Sequence, residues 1–233
     1  MTAQTFHTSH STLHIPLSPR LAAVAAEVRP GSRLADIGTD HAWLPIDLVG
    51  RGVCPAAVAT DIQKGPADTA RRHIEAAGLS DKIEVRVGDG LAPLSPADGC
   101  RDVVVAGMGG ETIAAILAAA DWVRDPALRL ILQPMSRPEK LREFLYENGF
   151  GIERETVARE GSRCYVCMAA SYIEKQDRRP PDRYIGKLPQ SADAAVYMRR
   201  QLRRLRDGQK GRPGDLALAE LIKELEDWTD DCR

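Results

Sequence analysis

Acidic residues recur in this chain at the ends of short apolar runs, where a folded sheet would present them to a ligand. Leu34-Ala-Asp-Ile-Gly-Thr-Asp-His-Ala-Trp-Leu-Pro45 reads as a strand that ends in a glycine turn before a helix. Gly38 lets a ligand approach the backbone, and the following helix N-terminus should present unpaired N–H groups to a carboxylate or phosphate. The dinucleotide fingerprint G-x-G-x-x-G is incomplete, because Asp40 and Trp43 stand at its second and third glycine positions, so a pyrophosphate is disfavoured. Asp61 closes the next run, 23 positions after Gly38, about where such a sheet puts the carboxylate that accepts both ribose hydroxyls. Asp89-Gly90 repeats the arrangement after the third run and could bind an adenine amino group. Any one of these Asp residues alone is most simply a helix cap. Three in register point to a nucleoside.

Ala106-Gly-Met-Gly-Gly110 ends the fourth run, beside the switch point of such a sheet, where the reacting group sits. Glycines there let a flat ring slide past the backbone, and Met108 supplies an adaptable apolar wall. A tight turn feeding a helix at 111–120 is the plainer reading, but five small or flexible residues exceed what a turn requires. Gln133-Pro134 closes the fifth run in the same layer, and the Gln133 amide could bond a base edge. Cys164 and Cys167 form a lone C-x-x-C within a β-rich run, where positions three apart face opposite sides and cannot easily clamp one metal. His7, His10 and His14 lie in a stretch without Cys or carboxylate partners, so no metal site is expected there either.

Positioning these residues requires a parallel sheet. Residues 33–37, 56–60, 83–87, 102–106 and 128–132 read as five strands, alternating with helical patterns or short links, which is the signature of an α/β fold. Gly65-Pro66 opens a helix with Ala67, Ala70, Ile74 and Ala77 on one face and Gly78 at its αL cap. Ser136 to Glu139 reads as a capping box before Leu141, Phe144 and Leu145. Residues 152–157 and 163–170 then form a hairpin with no helix between them. A parallel sheet that ends in a hairpin carries one antiparallel strand, which favours a methyltransferase-type sheet over a dehydrogenase-type one.

The outer segments differ in composition. Residues 1–16 lack periodicity and read as a mobile tail; 17–173 hold the α/β domain; 174–233 read as a second, helical domain. In the last, Ala195, Met198, Leu202 and Leu205 form one stripe and Leu218, Leu221, Leu225 and Trp228 another, so an antiparallel helical hairpin is expected. Residues 193–212 carry seven Arg or Lys against two Asp, net +5. That cluster is either a solvated helix face or a nucleic-acid contact.

With 233 residues the chain can bury about 70–75% of the surface of its unfolded form, so no disulfide staple is needed. Hydrophobic residues at 43% and charged ones at 28% exclude a wholly disordered or collagen-like protein. A net charge of −1 excludes binding nucleic acid by bulk electrostatics alone but leaves room for a local basic patch. Neither an eighteen-residue apolar run nor a signal-peptide pattern is visible, so a cytoplasmic protein with no membrane partner is expected. Five irregularly spaced Cys suggest free thiols.

Asp36-Ile-Gly-Thr-Asp-His-Ala-Trp-Leu-Pro45, Asp61 with Lys64-Gly-Pro66, Ala106-Gly-Met-Gly-Gly110 and Leu132-Gln-Pro134 together resemble the bacterial TrmK family of tRNA (adenine(22)-N(1))-methyltransferases, across roughly Leu17 to Leu225. The resemblance implies a Rossmann-like class I methyltransferase sheet of seven strands, its last hairpin antiparallel, with a small C-terminal helical domain that helps to hold tRNA. It implies S-adenosyl-L-methionine as cofactor, S-adenosyl-L-homocysteine as product and no metal. The cofactor residues would be Asp36, Gly38, Thr39, Asp40, Asp61, Ile62, Gly65, Asp89, Gly90, Ala106, Gly107, Met108 and Gly109. The catalytic group would be Asp40, which organises cofactor and base, His41, which accepts from the adenine amino group unless a backbone carbonyl near Gly107 does so, Trp43, which stacks, and Gln133. Arg20, Arg199, Arg200, Arg203 and Arg204 would contact RNA, on a monomer or a dimer. Family members usually have Tyr where this chain has Trp43, and often Asn in place of Met135. Those departures keep two other readings in play, a non-catalytic RNA-binding relic and a methyltransferase for another RNA or a small molecule.

Overall fold

The computed structural model describes residues 16–174 and 182–232, so the expected tail with its three histidines lies almost wholly outside the described residues. Seven strands form one mixed sheet: β1 (Leu34–Ile37), β2 (Ala57–Asp61), β3 (Ile83–Val87), β4 (Asp102–Gly109), β5 (Arg129–Ser136), β6 (Phe150–Glu160) and β7 (Arg163–Tyr172). Their order is β3-β2-β1-β4-β5-β7-β6, and β7 alone runs antiparallel. The switch point falls between the parallel neighbours β1 and β4, after which the chain proceeds toward opposite edges of the sheet. The expected parallel sheet with a terminal hairpin is what the chain builds.

Among the described residues eight α-helices cover the faces: α1 (Pro19–Glu27), α2 (Trp43–Gly50), α3 (Lys64–Ala76), α4 (Gly110–Ala118), α5 (Pro138–Glu147), α6 (Asp182–Ile185), α7 (Ala192–Lys210) and α8 (Leu216–Asp230). Short polar side chains start several of them. Ser191 Oγ accepts from Ala194 N–H at 3.2 Å to open α7, and Asp215 Oδ1 accepts from Leu218 N–H at 3.0 Å to open α8. One apolar core, under α1, α2 and α3, gathers Val24, Leu44, Ile46, Ile74, Val104 and Cys167. The other lies on the opposite face of the sheet and gathers Val103, Val105, Ile113, Leu141, Val166 and Met198. Alternate residues of β4 feed opposite cores, as the strand period requires. Cys164 and Cys167 likewise fall in different cores.

Three expectations need correction. Ser136 does not cap α5. Strand β5 runs on to Ser136, which pairs with Gly109, and Arg137 takes the cap position at φ 54° with no side-chain cap bond. The Ser136–Glu139 capping box is therefore absent, because the sheet claims the serine first. Second, β4 does not stop at Ala106: Ala106-Gly-Met-Gly is a bulged continuation of it, with register shifts at Ala106/Met108 and Met108/Gly109 and Gly107 at φ 82°. Gly110 then opens α4 so close to α5 that a Cβ there would collide with the Arg137 carbonyl. Third, α7 buries more than its predicted stripe: Tyr197 and Gln201 join Ala195, Met198 and Leu202. The cause is two-sided packing, since α7 lies against β6 and β7 as well as α8. Tyr197, Met198, Leu202, Leu221 and Leu225 share one continuous core with the sheet.

Candidate active site

The first βα loop is held in an unusual shape. Gly38, Asp40 and Ala42 have φ of 73°, 52° and 58°, and for the two non-glycine residues this conformation costs roughly 1–2 kcal/mol each. Several bonds hold it there. Gly38 and Thr39 donate their N–H groups to Thr60 O at 2.8 and 2.9 Å, which extends the pairing of β1 with β2. Those two donors are thus spent inside the fold. Asp40 N–H donates to Asp61 Oδ2 at 3.2 Å, and Gln63 N–H to Asp61 Oδ1 at 2.9 Å. Asp61 therefore braces the loops after β1 and β2 while its carboxylate faces a cavity.

Two cavities share the floor formed by Gly38, Ala106 and Gly107. The larger, about 540 Å³, is lined by Asp61, Ile62, Asp89, Gly90 and Met108, with Ile116 of α4 as its far wall. The smaller, about 290 Å³, is lined by Asp36, Thr39, Asp40, His41 and Trp43, with Arg20 from α1. Met108 lies between them: a side chain on Gly38 would strike its terminal methyl. Gly65, in the first turn of α3, and Gly109, the last residue of β4, line neither cavity.

Asp36 is buried at the back of the smaller cavity, where its Oδ2 accepts from Thr39 Oγ1 at 2.6 Å. Burial pushes its carboxyl up to about 6; the Thr39 bond opposes this, and the charge of Asp61 adds to it. The ordinary value is 3.8, so the unfolded chain ionises first as pH rises. Stability should therefore fall across pH 4 to 6 and level off above that window. We expect Asp36→Asn to lose this part of the dependence, checked by urea unfolding at pH 4.5 and 7. Parallel wild-type and variant profiles would refute it.

Gln133 does not point a free amide at a substrate. It is 1% exposed; its Oε1 accepts from Arg20 Nη1 at 2.7 Å and from Gly107 N–H at 3.2 Å, and its Nε2 donates to Pro134 O at 3.0 Å. Reading a base edge would break bonds already made, so Gln133 is a positioning residue that ties α1 to the β4 bulge. Arg20, expected to contact RNA, is turned inward by the same bond.

The mouth of the smaller cavity is aromatic. Trp43 stacks on His73 of α3 with centroids 4.3 Å apart and planes at 17°, while His41 lies 5.9 Å from the indole. His73 Nδ1 donates to His41 O at 3.0 Å, which fixes that tautomer, and His41 Nε2 lies 3.4 Å from Asp40 Oδ2. Sequence reasoning missed His73, because a histidine on the polar side of an amphipathic helix carries no local signal. With one indole face covered, a base can stack only on the other. For a substrate whose base stacks there, His73→Ala is expected to lower kcat/KM about 5- to 10-fold with little change in Tm, and His73→Phe to restore most of it. Unchanged kinetics for His73→Ala would remove the residue from the site.

Among the described residues, no group of three or more His, Cys, Asp or Glu is placed to hold a metal, and no helix is long and apolar enough to cross a membrane. Carboxylates that can meet a ribose and an adenine, a glycine floor that a ring can approach, and an adjoining aromatic-edged pocket define a Rossmann-like methyltransferase domain. A family model described as a methyltransferase domain matches residues 17–168. The chain is 38% identical over 156 residues, 67% of its length, to the tRNA (adenine(22)-N(1))-methyltransferase of Bacillus subtilis (strain 168), and the match spans 65% of that protein. Among solved structures it resembles the putative tRNA (m1A22) methyltransferase Sp1610 of Streptococcus pneumoniae in complex with S-adenosyl-L-methionine: TM-score 0.80, 32% identity, 90% of this chain and 99% of that one. It also resembles the B. subtilis m1A22 tRNA methyltransferase TrmK: TM-score 0.77, 29% identity, 93% and 97% coverage. The chain belongs to the TrmK family of methyltransferase-domain proteins.

Proposed function

We propose that this protein transfers the methyl group of S-adenosyl-L-methionine to N1 of an adenine in tRNA, at position 22 by likeness to its relatives. The observation that carries this reading is the pair of cavities on one glycine floor. The larger offers Asp61 to the ribose hydroxyls, Asp89 to the adenine amino group and Met108 and Ile116 to the ring. The smaller places the cation of Arg20 and the carboxyl of Asp36 where an amino-acid carboxylate and ammonium can pair with them. When bound, the cofactor supplies an electrophilic sulfonium methyl.

The chain's own residues then do the positioning. Trp43 offers one indole face to the target adenine, and His41 beside Asp40, or a backbone carbonyl near Gly107, accepts from its exocyclic amine. N1 of neutral adenine carries no proton, so its lone pair forms the new N–C bond as the S–C bond breaks, and no general base is required. Orientation and charge placement supply the rate enhancement. The test is tritiated methyl transfer to unmodified tRNA by the full chain, followed by mapping of the modified nucleotide. Labelled 1-methyladenine is the expected product. Cofactor and tRNA binding without transfer would mean that the fold has kept recognition and lost catalysis, and transfer to small molecules alone would remove tRNA from the reading.

A further inference from the structure

The arginines of α7 fall on two sides of the helix, and the two sides face different surroundings. Arg199, Arg203 and Arg206 lie three and four residues apart and line a depression against α8 that also contains Glu226 and Asp230; Arg206 is ion-paired with Glu226. Three positive and two negative lining residues leave that depression nearly neutral. Arg200 and Arg204 lie about 100° round the helix. They line a groove of about 360 Å³ with Arg163 from the start of β7, and no carboxylate stands among its lining residues. None of these three has an ion-pair partner among the described residues; Arg204 Nη1 donates to Gln201 Oε1 at 3.3 Å. Arg163 bonds to the Tyr165 side chain; Glu160, whose charge acts on Arg163, and Asp193, whose charge acts on Cys164, lie outside the lining.

The groove also leads to the right place. Its other wall is Pro134, Met135 and Ser136, where Pro134 pairs with Met108 and Ser136 with Gly109. The groove therefore abuts the strand end that forms the cavity floor. Met135 is 43% exposed there and gives a thioether wall for a base beside a charged track.

We propose that this groove is the track for the phosphodiester backbone next to the target nucleotide, held by Arg163, Arg200 and Arg204, and that Arg199 and Arg203 take no main part. The inference rests on the tRNA reading above and narrows it to one side of α7. Uncompensated guanidinium groups bind phosphate by charge-assisted, often bidentate hydrogen bonds, whereas arginines already facing carboxylates gain less. Each phosphate contact on a single strand adds about 0.7 to the slope of log affinity against log salt.

The experiment compares the full chain with the double variants Arg200→Ala/Arg204→Ala and Arg199→Ala/Arg203→Ala and the single variant Arg163→Ala. Binding to unmodified tRNA is read by anisotropy at four salt concentrations, cofactor affinity by calorimetry and methyl transfer separately. All five side chains are exposed, so unchanged Tm values are expected. The groove double variant should lose at least about 10-fold in tRNA affinity and about 1.4 in salt slope with cofactor affinity unchanged. Arg163→Ala should lose about half as much on a logarithmic scale, and the Arg199/Arg203 variant less than about 3-fold. Groove variants that bind like wild type, or an Arg199/Arg203 variant that loses as much as the groove pair, would overturn the assignment while wild-type methyl transfer leaves the function standing. A wild type that binds tRNA through the groove but transfers no methyl would overturn the activity and spare the groove. Failure of the wild type to bind tRNA would overturn both.

Discussion

Replacing Asp61 by alanine is expected to weaken binding of S-adenosyl-L-methionine by roughly 300-fold, about 3 to 4 kcal/mol, and to lower kcat/KM accordingly. Two losses combine. On the proposed function the carboxylate accepts from both ribose hydroxyls, and hydrogen bonds to a charged group contribute about 1.5–3 kcal/mol each. It also accepts from Asp40 N–H and Gln63 N–H, so its removal frees the loop that carries Asp40 in its positive-φ conformation. Asp61→Asn, which keeps an acceptor oxygen but loses the charge, should fall between alanine and wild type. Calorimetry with the cofactor checks the expectation, and an unchanged far-UV circular dichroism spectrum is the control for folding. An Asp61→Ala protein within 3-fold of wild-type cofactor affinity would show that the ribose is held elsewhere.

The second large effect concerns stability. Arg142 of α5 and Glu155 of β6 are both fully buried and meet as a two-pronged pair, Nε to Oε1 at 2.8 Å and Nη2 to Oε2 at 3.2 Å. Arg142 Nη1 also donates to Arg183 O and Tyr184 O, and Glu155 Oε2 accepts from Lys187 N–H at 2.7 Å. Burial disfavours the guanidinium charge, but Glu155 overrides that and holds it above its ordinary range. Burial likewise pushes the neighbouring Tyr197 phenol up to about 12. Glu155→Ala strands a buried cation and should cost about 3–5 kcal/mol. Arg142→Met together with Glu155→Leu should recover part of that, because no unpaired charge is left. Urea unfolding of Arg142→Met, Glu155→Leu and the double variant measures the coupling. A Glu155→Ala midpoint close to wild type would contradict this account.

The neighbourhood of that pair also shows why some of the molecule was legible in sequence and some was not. Strand positions, the terminal hairpin and the carboxylates of Asp61 and Asp89 follow from local patterns: apolar runs, turn residues and an acid at a run's end. Those signals persist because a residue buried in a sheet has few permitted chemistries. Arg142 carried no such signal, since an arginine within Leu-Arg-Glu-Phe-Leu reads as a solvated helix position, and its partner lies 13 residues away on another element. The same holds for His73 on Trp43 and for Gln133 under Arg20, contacts spanning 30 and 113 positions. Ser136 erred in the opposite direction. Its local pattern fits a helix cap, and the sheet overrode it.

The sharing of one apolar core by α7, α8 and the sheet constrains how a nucleic acid is handled. A basic helix tethered by a free linker could swing out, capture its target and fold back. Here the arginines stand on a body that cannot hinge without exposing Met198, Leu202 and Leu225 to water. On the proposed function the protein is thus an anvil: the polynucleotide would do the bending, its adenine rotating out of the helix to reach the pocket.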